Sequence, residues 1–207
     1  MIKAPVCTYG RHRILSDGEG ITTLVIFHGC PLNCRWCIND YTRSPDTKVK
    51  FITPQELYDI VKIDNLYFCA TNGGITFGGG EPLLYPDFIE EFCRICPSEW
   101  NISVQTSLAV PLENMIKIAQ VVDKFYIDCK DVNPEIYKKY TGCDNKLMLD
   151  NLMVLLSKVS PDKIVLRIPL IPEYNTEENQ KSSRIFLEEL GVTQFDEFAY
   201  IKDKVSE

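Results

Sequence analysis

The chain has 207 residues, 45% hydrophobic and 25% charged, with a formal net charge of −7. That length and composition suit one globular domain with a sizeable core. The acidic balance, without any lysine or arginine run, gives no electrostatic basis for nucleic-acid binding, and no apolar stretch is long enough to span a membrane. Met1-Ile2-Lys3-Ala4-Pro5 shows no apolar signal region, so a cytoplasmic location is the default expectation. Nine cysteines, an odd number, in such a chain point to metal or redox chemistry rather than a disulfide framework.

Residues 1–20 read as an extended lead-in, a short hairpin closed by Asp17-Gly18-Glu19-Gly20. Thr22-Thr23-Leu24-Val25-Ile26-Phe27 is β-branched and apolar, a buried strand. A cysteine-rich loop leaves its end. Thr53-Pro54-Gln55-Glu56 starts a helix: threonine caps, proline takes the first position and glutamate completes a capping box. Asn72-Gly73-Gly74 reads as a turn and Ile75-Thr76-Phe77 as a short strand, followed by Gly78-Gly79-Gly80-Glu81-Pro82. The pattern then predicts a helix over 86–96, a strand over 102–106, a helix over 112–120 and a strand over 124–129. Helices over 134–140 and 146–159 follow, then a strand over 164–168 stopped by Pro169 and Pro172. A helix over 175–190 takes Asn175 as its cap, with Glu178 three residues on and Gly191 just past its end. A last strand covers 195–201.

Strands alternating with helices at this spacing imply βα units and a parallel sheet. Six such units are too few to close an eight-stranded barrel. The expected fold is therefore α/β, a single-domain open partial (β/α)6 barrel over 22–201 preceded by the lead-in. Chemistry in such folds sits at the C-terminal ends of the strands. Both the cysteine loop and the glycine run fall there.

Cys30, Cys34 and Cys37 have the spacing C-x3-C-x2-C. Cysteine thiolates hold iron–sulfur clusters, and four are usual; here the loop offers three and no obvious local fourth. A cubane held by three cysteines keeps one iron open to another ligand, the signature of enzymes that bind S-adenosylmethionine there. A structural zinc site would close with four ligands, and no histidine or cysteine pair follows at that spacing. Glycines let a backbone approach a ligand closely, and Glu81 beside them offers an acceptor for an amino group.

These motifs resemble the radical S-adenosylmethionine superfamily, and more narrowly the activating enzymes of glycyl radical enzymes, such as the pyruvate formate-lyase activase. The likeness rests on Asp17 to Ile21, Gly29 to Asn39, Ile75 to Leu84, Asp128-Cys129-Lys130, Tyr140-Thr141-Gly142 and Arg167 to Pro172. It implies a [4Fe–4S] cluster on Cys30, Cys34 and Cys37, and S-adenosylmethionine as the second cofactor. Trp36 would lie against the adenine. Gly79, Gly80 and Glu81 would contact the methionine amino group, with Gly78 in place of a frequent serine. Lys130 would reach the methionine carboxylate or the substrate peptide, as a catalytic residue with the three cysteines, and Arg167 would help hold the cofactor. Asn39, Gln105, Ser107 and Asp128 complete the implied cofactor-binding set. The implied reaction is reductive cleavage to a 5′-deoxyadenosyl radical, which takes hydrogen from a glycine of a partner glycyl radical enzyme. A low-potential donor such as flavodoxin or ferredoxin would supply the electron, and the chain is expected to be a monomer.

The chain departs from the activase pattern at three places. Gln105 stands where a carboxylate is common at the end of the third strand, Ile38 follows the last cysteine where histidine is frequent, and Phe198-Ala199-Tyr200-Ile201-Lys202 lacks a late histidine. The two-cluster ferredoxin insert of many activases is also missing. These changes leave open a small-molecule substrate, as in the 7-carboxy-7-deazaguanine synthases, or a peptide side chain. A non-catalytic metal-binding module would need neither the glycine run nor Lys130. Cys93 and Cys96 share an apolar helix face and read as core. Cys129 reads as buried beside the site, and His28 as a hydrogen-bonding residue behind the loop.

Overall fold

A computed structural model describes residues 1–15 and 17–201; Ser16 and residues 202–207, Lys202 among them, lie outside the described residues. Strand β1 (Ala4–Ile14) runs antiparallel to β2 (Ile21–Phe27), and β3 (Lys50–Ile52) adds antiparallel to the far side of β1. Strands β4 (Gly74–Gly79), β5 (Asn101–Thr106), β6 (Lys124–Asp128), β7 (Ile164–Leu170) and β8 (Phe195–Ala199) then follow β2 in parallel. The sheet order is β3-β1-β2-β4-β5-β6-β7-β8. Among the described residues β3 and β8 are its two edges, so the barrel is open.

The lead-in is thus an integral strand of 11 residues, longer than a short hairpin. β3 escaped the sequence reading because Lys50-Phe51-Ile52 is too short for alternation to show. Helices α1 (Pro54–Val61), α2 (Asn65–Thr71), α3 (Pro86–Ile95), α4 (Leu112–Ala119), α5 (Pro134–Thr141), α6 (Lys146–Lys158) and α7 (Glu177–Glu189) connect the strands. The capping box of α1 forms as expected: Glu56 N donates to Thr53 Oγ1 at 3.1 Å, and Thr53 N donates to Glu56 Oε2 at 2.7 Å. α2 was not anticipated. It spans seven residues and buries only Phe68, so no amphipathic repeat marks it.

Two expected boundaries are corrected. Pro169 does not stop β7. Arg167 O, facing β6, accepts from Cys129 N, whereas Leu170 O, facing β8, accepts from Tyr200 N. By alternation Pro169 faces the β6 side just beyond the end of β6, where its missing N–H breaks no ladder bond. The cap of α7 is Thr176, in a capping box with Asn179. Asn175 is instead buried, donating to Pro169 O and to Asp131 Oδ2 and accepting from Ile171 N.

Phe27, the last residue of β2, stacks on Phe77 of β4 at 5.6 Å and meets Phe88 of α3 edge-on at 5.5 Å. This aromatic core pins α3 beneath the ends of both strands from which the two motifs leave. The hairpin turn packs against β4 and the start of β6: Thr76 Oγ1 donates to Asp17 O at 2.6 Å, and Lys124 pairs with Glu19 at 3.3 Å. Among the described residues no helix is long and apolar enough to cross a membrane.

Candidate functional site

The cysteine loop is held from both sides. Gly29, at φ +96, starts it, and its N–H donates to Thr42 O at 2.7 Å. The last turn of a helix leaves carbonyls without intrahelical partners, and α5 spends two of them here. Tyr140 O accepts from Arg35 N at 3.1 Å and Thr141 O from Asn33 N at 2.8 Å. Gly142, left-handed at φ +81, then ends the helix. The Tyr140-Thr141-Gly142 stretch is therefore the clamp on the loop. Leu32 is buried beneath it. His28 Nε2 lies 3.0 Å from Ser44 O, the hydrogen bond expected behind the loop.

The glycine run is laced to this loop through the backbone. Gly80 N donates to Phe27 O at 3.1 Å, Glu81 N to Gly29 O at 2.8 Å, and Asn39 Nδ2 to Gly79 O at 3.4 Å. A Cβ on Gly80 would lie 2.2 Å from Gly29 O and 2.8 Å from Phe27 O. Only glycine lets the two segments approach this closely.

Glu81 is 1% exposed, and its carboxylate is saturated. Oε1 accepts from Thr106 Oγ1 at 2.6 Å and Leu83 N at 3.2 Å; Oε2 accepts from Ser107 Oγ at 2.7 Å and Ser107 N at 2.9 Å. Burial raises the Glu81 carboxyl, and these donors oppose the rise. In this arrangement Glu81 ties the glycine run to the end of β5. Contact with an amino group would cost one of the four bonds. Ser107, expected at the cofactor, spends hydroxyl and amide on Glu81.

Asp128 ends β6 between two cations. Arg167 Nε donates to its Oδ1 at 2.7 Å, and Lys130 Nζ lies 3.2 Å from its Oδ2. Burial alone would raise this carboxyl, but Arg167 and Lys130 reverse the effect and bring it down to about 2. Lys130 is 8% exposed and also donates to Tyr200 Oη at 2.9 Å. Burial opposes its charge, but Asp128 overcomes that and holds it protonated well above the usual lysine range. Tyr200 was not among the expected site residues. Trp36 meets Tyr174 edge-on at 6.0 Å, and its carbonyl accepts from Tyr140 Oη at 3.4 Å. Gln105 Nε2 donates to Asp17 Oδ1 at 3.2 Å.

Cys30, Cys34 and Cys37 are half-buried free thiols. Burial pushes the Cys30 thiol up to about 12 and raises Cys34 as well, although Lys130 pulls Cys34 back. Taking up a metal as thiolates therefore releases protons. Among the described residues no three His, Cys, Asp or Glu side chains converge on a single ion. A four-iron cluster asks for something else: each thiolate takes its own iron, and the fourth iron needs no protein ligand. Three soft sulfurs on one clamped loop, beside a backbone cradle that a Cβ would fill, fit that group.

The sequence profile of the radical SAM superfamily matches residues 24–184. The chain belongs to that superfamily. Its cofactors are accordingly a [4Fe–4S] cluster and S-adenosylmethionine, and it is an enzyme of the radical type. Among curated relatives it is 29% identical to the indoleacetate decarboxylase activating enzyme of Tractidigestivibacter scatoligenes, over 79% of this chain and 72% of the relative. It is 26% identical to the (2S)-3-sulfopropanediol dehydratase activating enzyme of Klebsiella oxytoca, over 86% of this chain and 75% of the relative. Among solved structures it is similar in fold to Streptococcus suis SuiB bound to S-adenosylmethionine, at TM-score 0.69 and 15% identity, covering 94% of this chain and 43% of that one. The chain thus spans less than half of that neighbour.

Proposed function

We propose that this radical SAM enzyme activates a partner glycyl radical enzyme by taking a hydrogen atom from a backbone glycine. The observation that carries the reading is the lacing of the three-cysteine loop to Gly80 and Glu81, with Lys130 and Asp128 near enough to act on the Cys34 thiol. The curated relatives at this similarity are named as activating enzymes, and the open edges β3 and β8 leave room for a protein loop as substrate. When bound, the cofactors supply reductive cleavage of S-adenosylmethionine to a 5′-deoxyadenosyl radical.

The protein's own residues hold and orient. Cys30, Cys34 and Cys37 hold the cluster. Gly78 and Gly79 give a backbone surface for the methionine moiety, with Asn39 braced against Gly79. Lys130 and Arg167 offer a cationic face for its carboxylate, and Asp128 keeps both cations in place. Trp36 flanks the adenine, and Gln105 receives ribose hydroxyls. The fixed geometry places a C–H bond at the reacting centre and keeps water out. The proposal includes a low-potential electron carrier such as flavodoxin or ferredoxin, a monomeric chain and a cytoplasmic location.

The test is anoxic incubation of the reconstituted protein with reductant, S-adenosylmethionine and a glycyl radical enzyme from the same genome. An electron spin resonance doublet from a glycyl radical is the expected result. Formation of 5′-deoxyadenosine without that doublet, across the glycyl radical enzymes of the genome, would favour the small-molecule reading.

A further inference from the structure

The carboxamide of Gln105 has different neighbours at its two ends. Nε2 lies 3.2 Å from Asp17 Oδ1, whereas Oε1 lies 3.2 Å from the point that a Cβ on Gly78 would occupy. These ends are not interchangeable. A carboxylate is acceptor-only, and the other oxygen of Asp17 already takes Arg13 Nε at 2.5 Å. Asp17 must therefore face the amide N–H, which turns the carbonyl toward the glycine run. Asp17 is 8% exposed and is anchored through its own carbonyl to Thr76 Oγ1 at 2.6 Å. Among the described residues no protein donor meets Gln105 Oε1. Gln105 is half-buried, so this oxygen is open to solvent or to a ligand.

We propose that Asp17 is the positioning residue of Gln105: from the hairpin turn it fixes the carboxamide so that a carbonyl oxygen, not an amide nitrogen, faces the ribose hydroxyls of S-adenosylmethionine. This rests on the reading that Gln105 faces the cofactor. The carboxylate that β5 lacks at this place is supplied from the hairpin turn by Asp17, as an orienting group rather than a ligand. Without it the carboxamide is free to flip and present its NH2.

The proposal is tested by a reciprocal exchange. In Asp17→Asn, Arg13 draws the oxygen of the new carboxamide, so the new NH2 faces Gln105 and flips it. In Gln105→Glu, two carboxylates face each other at hydrogen-bond distance. Each single variant should weaken equilibrium binding of S-adenosylmethionine, followed as a spectral perturbation of the reduced cluster, by about tenfold. The double variant restores a donor–acceptor pair with its polarity reversed and an oxygen facing the ligand, so its affinity should return to near that of the parent. Thermal melts of the metal-free proteins check that all three fold. If Gln105→Ala binds as tightly as the parent, Gln105 does not face the cofactor and the proposal fails with that reading. If Gln105→Ala is weak but the exchange gives no recovery, Gln105 contacts the cofactor without Asp17 as its positioner, and the proposal alone is overturned.

Discussion

Glu81 N donates to Gly29 O at 2.8 Å, and this bond joins the glycine run to the cysteine loop. Its neighbour Gly80 makes the junction intolerant of any side chain. Gly80→Ala would drive a methyl into the backbone oxygens of Gly29 and Phe27, and backbone cannot rotate aside. The expected loss is about 3 kcal/mol in the metal-free protein, read by chemical denaturation, with reduced iron retention after reconstitution. Gly78→Ala is the contrast. Its Cβ meets Gln105 Oε1, Gln105 Cβ and Leu24 Cδ1 at 3.2–3.3 Å, side-chain atoms that need to shift only slightly, so the fold should lose less than about 1 kcal/mol. Equal losses in the two variants would contradict the account of the junction.

Glu81→Gln keeps the shape of the side chain and replaces an acceptor with a donor. The new NH2 would face either the Ser107 N–H and hydroxyl or the Leu83 N–H and Thr106 hydroxyl. A buried donor set against donors should cost about 3 kcal/mol. Urea unfolding measures it. A variant as stable as the parent would mean that the four bonds do not hold the run.

Asp128 gives the fold an acid dependence of known sign. Its folded-state carboxyl lies below the ordinary value of 3.8, at about 2. The stabilisation is fully present above the unfolded value and is lost as pH falls through the folded one. About 2 kcal/mol is at stake between roughly pH 4 and pH 2. Asp128→Asn should be less stable at neutral pH, because Lys130 and Arg167 lose their partner, and its stability should fall less steeply with acid. Parallel pH profiles for the two proteins would rule out this assignment.

Tyr137 is fully buried on α5, and its hydroxyl has no hydrogen-bond partner among the described residues. Tyr137→Phe deletes only that oxygen. It should stabilise the metal-free protein by about 1 kcal/mol, seen as a raised melting temperature. A lowered one would show that the hydroxyl is satisfied.

Much of this architecture was readable because local chemistry and global packing agreed. Thr53 and Glu56 form the box their spacing announces. Cys30, Cys34 and Cys37 with Gly78 to Glu81 lie at adjacent strand ends, as alternation required. What stayed hidden depends on contacts distant in sequence. Pro169 looks like a strand terminator until β6 is seen to end beside it. Asn175 has the chemistry of a cap but spends it on Asp131 and on the loop before α7. The clamp by Tyr140 O and Thr141 O is made of backbone, which no residue type reveals. The pairing of Gln105 with Asp17, 88 positions apart, needed the hairpin turn placed against β4.

The most direct measurement is anoxic reconstitution of the parent protein and of Cys30→Ala, Cys34→Ala and Cys37→Ala, with iron, cluster spectra and 5′-deoxyadenosine read together. The parent should hold a four-iron cluster and form 5′-deoxyadenosine with a strong reductant, and each alanine variant should lose both, whereas Cys93→Ala and Cys96→Ala keep both. A parent that makes no 5′-deoxyadenosine, or a cluster that survives loss of the loop cysteines, would contradict the account.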